Sequence, residues 1–214
     1  MIFNKSNLLE IEEEVKKYKS AQLLIVTKNQ TQETITELLD LGYLFFGENR
    51  VQEASNKFNL NILKKYPDIK LHLIGPLQSN KTSLALKIFD TIQTLDRKKI
   101  VKAISDDIKK LDKVRTKDFY IQINIGMENQ KSGVLPENVF DIYDYSKSCN
   151  LNIVGLMCIP PNDNNPNYYF EKMKKIRDNI DPNLKLSMGM SQDYIEALKC
   201  SSNLIRVGSK IFHV

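Results

Sequence analysis

Apolar residues along this chain fall into short blocks of two kinds that take turns. One kind is continuous and rich in β-branched or aromatic residues, as in QLLIVTK (22–28), the mark of a strand buried on both faces. The other recurs every third or fourth residue. In TQETITELLDLG (31–42), Ile35, Leu38 and Leu39 share one helical face. The alternation continues with YLFFGEN (43–49) and RVQEASNKF (50–58), IKLHLIG (69–75) and SNKTSLALKIF (79–89), DTIQTLD (90–96) and RKKIVKAISDDIKKL (97–111). After these come DFYIQINIG (118–126) and PENVFDIYDYSKSC (136–149), LNIVGLMCI (151–159) and NYYFEKMKKIRDNI (167–180), LKLSMG (184–189) and SQDYIEALKC (191–200). NLIRVGS (203–209) closes the series, and residues 1–20 form an amphipathic helix ahead of it.

Strand-then-helix alternation implies parallel strands joined by crossover helices. About eight such units predict a compact (β/α)₈ barrel of the TIM type, a single domain over residues 1–214. Little chain follows the last strand, so the N-terminal helix is expected to pack into the gap where an eighth helix would lie. A doubly wound open sheet is the competing architecture. It would carry a glycine-rich turn after its first strand, where this chain reads TKNQT (27–31).

Composition adds exclusions. Apolar residues at 42% and charged residues at 27% suit a soluble globular protein. No run approaches the ~18 apolar residues of a membrane span, and acids interleave the N-terminal apolar positions, unlike a signal peptide. A cytoplasmic location is the expectation. Cys149, Cys158 and Cys200 are far apart, and the chain has two histidines, so no metal site is expected. The net charge of +5 comes from lysines scattered over helical faces such as EEEVKKYK. Without aromatic residues interleaved in a basic patch, nucleic-acid binding is not expected.

The active face of such a barrel lies at the C-terminal ends of its strands. Those ends carry Lys28, Gly47-Glu48-Asn49, Gly75 to Asn80, Asp96, Lys131-Ser132-Gly133, Met157, Ser187 to Ser191, and Arg206 to Ser209. Taken singly, the glycines make turns and the serines and Asp96 cap helices. Taken together, they furnish one rim. SMGMS (187–191) and RVGS (206–209) end the last two strands, where barrels of this kind bind phosphate. Gly189 and Gly208 would let the backbone approach an anion, and Ser191 and Ser209 would offer hydroxyls. Ser191 could equally cap its helix. Barrel closure puts Lys28 on the same rim, as a counter-charge or as an amine for an aldehyde. Pyridoxal 5'-phosphate (PLP) meets both needs, and Arg206 is in reach of its ring nitrogen. An arginine there would keep that nitrogen unprotonated and weaken the ring as an electron sink.

FGENRVQEA, LHLIGPLQSNK, KSG, GLMCIPP, LSMGMSQDYIEAL and IRVGSKIF run in order from about Leu23 to Phe212. As a set they resemble the PLP homeostasis proteins, whose barrel is similar to the barrel domain of bacterial alanine racemases. The resemblance implies PLP as cofactor, bound through a Schiff base to Lys28. It further implies Ser191, Gly208 and Ser209 on the phosphate, Arg206 facing the pyridine nitrogen, and Asn49 and Met157 nearby. It implies storage, delivery or buffering of PLP, with apo PLP-dependent enzymes as recipients and no catalytic residues assigned.

A racemase adds a second domain that supplies a catalytic tyrosine, and racemisation needs an acid/base group on each face of the substrate. No such domain precedes Val214, so a monomer without established turnover is expected, with a weak racemase as the alternative. His72 lies within its strand and reads as a barrel histidine. The chain departs from the family pattern at Asn29-Gln30-Thr31, where a second lysine is usual, at Arg50 and at His213. Lys81 and Lys131 remain as other rim amines. Two further readings differ in ligand. A phosphosugar barrel would use Lys28 on its substrate, and a barrel that binds RNA or protein would leave the rim empty.

Overall fold

Parallel pairing runs right around the sheet. The computed structural model describes residues 3–212, and its eight strands close into a barrel in sequence order. They are β1 (Gln22–Val26), β2 (Phe45–Glu48), β3 (Lys70–Leu73), β4 (Thr91–Leu95), β5 (Asp118–Ile123), β6 (Ile153–Cys158), β7 (Lys185–Ser187) and β8 (Leu204–Val207). The closing pair, β1 with β8, is in register from Gln22 opposite Leu204 to Ile25 opposite Val207. Lys28 therefore leaves β1 beside the loop that leaves β8.

The crossover helices are α2 (Gln32–Asp40), α3 (Val51–Lys57), α4 (Leu60–Lys65), α5 (Thr82–Ile88), α6 (Lys98–Ile108), α7 (Val139–Ser148), α8 (Pro166–Ile180) and α9 (Tyr194–Lys199), preceded by α1 (Lys5–Lys16) and followed by α10 (Ser209–Phe212). Ile35, Leu38 and Leu39 are all buried on α2, as their spacing predicts. Strand residues that face the helices, such as Ile25, Phe46, Leu71, Ile92, Ile121 and Leu186, join the helix faces in one apolar layer. Each such side chain removed from water contributes roughly 1.5–3 kcal/mol.

The N-terminal helix does pack where it was expected. Asn4 caps α1, accepting from the Asn7 amide at 3.0 Å, and Leu8, Ile11 and Val15 are buried. The Asn4 amide donates to the Ile211 carbonyl at 2.8 Å and Asn7 Nδ2 to that of Lys210 at 2.8 Å. Lys210 Nζ pairs with Glu10 at 3.0 Å. α1 thus braces α10, the short turn of helix that begins at Ser209. Two elements differ from the sequence reading. α4 was not anticipated, because LNILKK shows a single buried position, Ile62. β5 ends at Ile123 rather than reaching Gly126. Asn124 leaves the ladder to hold the following loop, its side chain bonding Glu128 and Lys131.

Candidate functional site

Strand ends, not strand middles, furnish the C-terminal mouth. A cavity of about 580 Å³ opens there, lined by Lys28, Asn49, Ser191, Arg206, Gly208 and Ser209 among others. That volume suits a small organic ligand. Lys28 is exposed and makes no hydrogen bond or ion pair among the described residues. The Asn49 carbonyl presses on Gly75, where a Cβ would lie 2.1 Å from it, so glycine is required for the two strand ends to meet. Lys131 also lines the cavity, but its amine is tied to Glu128 at 2.5 Å and to the Pro160 carbonyl at 3.0 Å. Met157 is wholly buried within β6 and, like Lys81 and Asp96, is not among the lining residues. Asp96 pairs with Arg97 at 2.6 Å.

Three details add to the sequence reading. Gly189 is needed for its positive φ of 96° and because a Cβ would fall 2.5 Å from Ala197 Cβ on α9. Gly208 lies so close to β1 that a Cβ would sit 2.8 Å from the Val26 carbonyl. Both glycines are therefore accounted for by protein packing. Ser191 does not cap α9, whose N-cap position is Asp193. Its hydroxyl instead accepts from the Lys210 amide at 3.3 Å, joining the loop after β7 to the start of α10. His213 lies outside the described residues.

Behind the Lys28 loop stands a charge cluster that sequence reasoning missed. Lys57 Nζ, on α3, contacts Glu48 at 2.6 Å, Glu53 at 2.7 Å and the Thr27 carbonyl at 2.7 Å. Thr27 Oγ1 donates to Glu48 at 2.6 Å, and the Asn29 amide donates to Glu53 at 2.6 Å. Both residues flanking Lys28 are thus held from α3 and the end of β2. Burial pushes the Glu48 carboxyl up against the opposing pull of Lys57, while hydrogen bonds from Lys57 and Asn29 outweigh desolvation at Glu53 and hold it low. The available signal was the spacing Glu48, Glu53, Lys57 in GENRVQEASNK, acids and a base in register around a helix start.

Arg206 is buried, and its guanidinium is held from below. Nη1 donates to Ser187 Oγ at 2.9 Å and Nη2 to the Cys158 carbonyl at 2.8 Å. An arginine only donates, so Ser187 accepts there and donates its own hydroxyl to Gln93 Oε1, 2.6 Å away. The Gln93 amide then donates to His72 Nδ1 at 2.8 Å. This order makes His72 the Nε2–H tautomer. Burial, helped by Lys185 and Lys70, pushes its imidazole down to about 3 from an ordinary 6.5. The unfolded chain therefore takes up that proton first as the pH falls. Stability is expected to drop between about pH 6.5 and 3, by up to ~1.4 kcal/mol per pH unit from this residue. Urea unfolding across that range should show a shallower acid slope for His72→Gln than for the wild type.

Comparison with known proteins now has a site to bear on. No family model matches the chain. The PLP homeostasis protein of Vibrio alginolyticus is 36% identical over 203 residues, covering 90% of this chain and 86% of that one. The chain belongs to the PLP homeostasis protein family. Among solved structures it is similar to PipY of Synechococcus elongatus, solved without PLP (TM-score 0.85, 29% identity) and with PLP bound (0.83, 28%), each covering 97% of this chain and 98% of that one. Alanine racemase of Acinetobacter baumannii shares the fold at a TM-score of 0.73 and 14% identity, covering 95% of this chain and 59% of that one. The (β/α)₈ barrel of the alanine racemase N-terminal kind is thereby established for this family member. No described helix is long and apolar enough to cross a membrane, and no described cluster of His, Cys, Asp or Glu could hold a metal.

Proposed function

We propose that this protein binds PLP in the C-terminal mouth of its barrel and stores or hands over the cofactor, without turning over amino acids. The observation that carries this is the convergence of Lys28, Arg206, Ser191, Gly208 and Ser209 on one cavity. PLP supplies an aldehyde, a phosphate monoester and a pyridine nitrogen. Lys28 offers the amine for covalent capture of the aldehyde, and its exposure lets it exchange its cargo. Ser191 and Ser209 offer hydroxyls to the phosphate. Arg206, which can only donate, faces the ring nitrogen and keeps it unprotonated. Asn49 borders the same cavity. Met157, wholly buried on β6, stands behind the lining rather than in it.

The other titratable side chains lining the cavity support a carrier over an enzyme. Lys131 is tied to Glu128 and Pro160, and Asp193 Oδ1 accepts from the Met190 amide at 2.6 Å. Arg206 is fixed by Ser187 and Cys158. Lys28 is left as the group with freedom to move a proton, and racemisation needs two. Apo PLP-dependent enzymes are the proposed recipients, with the protein acting as a cytoplasmic monomer and a single domain, and with no nucleic-acid or membrane partner.

Adding PLP to the purified protein should produce a visible absorption band that survives gel filtration. Mixing the loaded protein with an apo-enzyme should restore that enzyme's activity. Amino acids incubated with it in deuterated water should keep their α-proton. A colourless protein would sink the binding assignment, whereas rapid α-deuteration would replace the carrier with a racemase.

A further inference from the structure

The opposite, N-terminal mouth of the barrel holds a second cavity, of about 340 Å³. We propose that it binds a small oxyanion of the phosphate-monoester class. Its rim carries Lys70, Lys117 and Lys185, none of which has an ion-pair or hydrogen-bond partner among the described residues. Two of its acids are already engaged. Asp90 receives Arg115 at 2.9 Å and the Leu71 amide at 2.9 Å, and Asp118 receives Asn152 at 2.8 Å.

The floor adds two donors on largely buried residues. The one-way chain from Arg206 through Ser187 and Gln93 ends on His72 Nδ1, so the free ring nitrogen of His72 carries the proton. His72 is 6% exposed and lines this cavity. Tyr120, 4% exposed, also lines it, and its hydroxyl has no partner. Neither donor atom is shut away from the cavity, so each is open to an anion's oxygen. Lys70 and Lys185 lie near enough to His72 to weaken its basicity, which places ammonium charge beside those donors. Phe45 and Leu204 give the cavity an apolar wall for an organic group. Three unpaired lysines against two carboxylates, one of them paired with Arg115, leave this mouth a positive balance that suits an anion.

The test is a titration with inorganic phosphate, then phenyl phosphate, followed through the imidazole NMR signals of His72. Because Arg206 links the other mouth to His72, the Lys70→Gln/Lys185→Gln variant, changed at this mouth alone, separates binding here from binding where PLP is proposed to sit. Saturable shifts at His72, weakened at least tenfold in a Lys70→Gln/Lys185→Gln variant and tighter for phenyl phosphate, are expected. Both lysines are exposed, so the variant should fold, and Tyr120→Phe should weaken binding without removing it. A silent His72 would overturn the proposal. So would a shift that never saturates and is the same in the double variant, since that is general screening by salt.

Discussion

Lys28→Ala is expected to abolish the visible band on adding PLP and to weaken retention of the cofactor by on the order of a hundredfold or more, ~2.8 kcal/mol. The reason is local. Of the two lysines lining the cavity, Lys28 is unpaired, whereas Lys131 is tied to Glu128 and to the Pro160 carbonyl. Without Lys28 no free amine remains to capture an aldehyde, and only the phosphate and ring contacts persist. The fold should not suffer, because Lys28 is exposed and has no hydrogen bond or ion pair among the described residues to lose; surface changes of this kind stay within ~0.5 kcal/mol. Absorbance after desalting and a melting curve, wild type beside variant, give both readings. If the band persists in Lys28→Ala and disappears only when Lys131 is also replaced, the anchor has been misassigned.

Lys57→Met should produce the largest loss of stability, ~3–5 kcal/mol, because removing one partner of a buried pair strands the other charge. Lys57 is 7% exposed and Glu48 is wholly buried. One oxygen of Glu48 already lacks a hydrogen-bond partner, so nothing is at hand to replace the ammonium. For a chain of this size the loss corresponds to a fall in Tm of roughly 6–20 °C. Glu48→Gln in the same molecule should recover part of it, since the stranded charge goes too. The damage should also reach the cofactor. Thr27 and Asn29, either side of Lys28, hang from this cluster, so PLP should be held more loosely as well. A Lys57→Met protein within 1 kcal/mol of wild type would show the cluster to be dispensable.

The eight strands were readable because each is a short apolar run closed by a glycine or polar residue, and a barrel strand is covered on both faces. α1 was readable from its spacing, and its place against β1 and α10 follows from barrel closure. α4 was not, since six residues with one buried position carry no periodicity to detect. The end of β5 was misread because INIG continues the apolar pattern while Asn124 turns its side chain to the loop. The reasons for Gly189 and Gly208 were also beyond sequence. Each is a glycine because of a neighbour far along the chain, Ala197 and Val26 respectively.

The polar residues inside the barrel draw the same line. Gln93, Ser187 and His72 each look like isolated interruptions of an apolar strand, and their spacing says only that they face the same way as their alternate neighbours. By itself the sequence determined which residues stand at the strand ends, and hence that Lys28, Ser191, Arg206, Gly208 and Ser209 share a rim. Periodicity and chain order are local properties, and they suffice for that. Only the tertiary structure decided what holds those residues in place. The Lys57 cluster and the chain from Arg206 to His72 join strands and helices that are remote in sequence. Which donor meets which acceptor is set by barrel closure and register, and no local pattern encodes either.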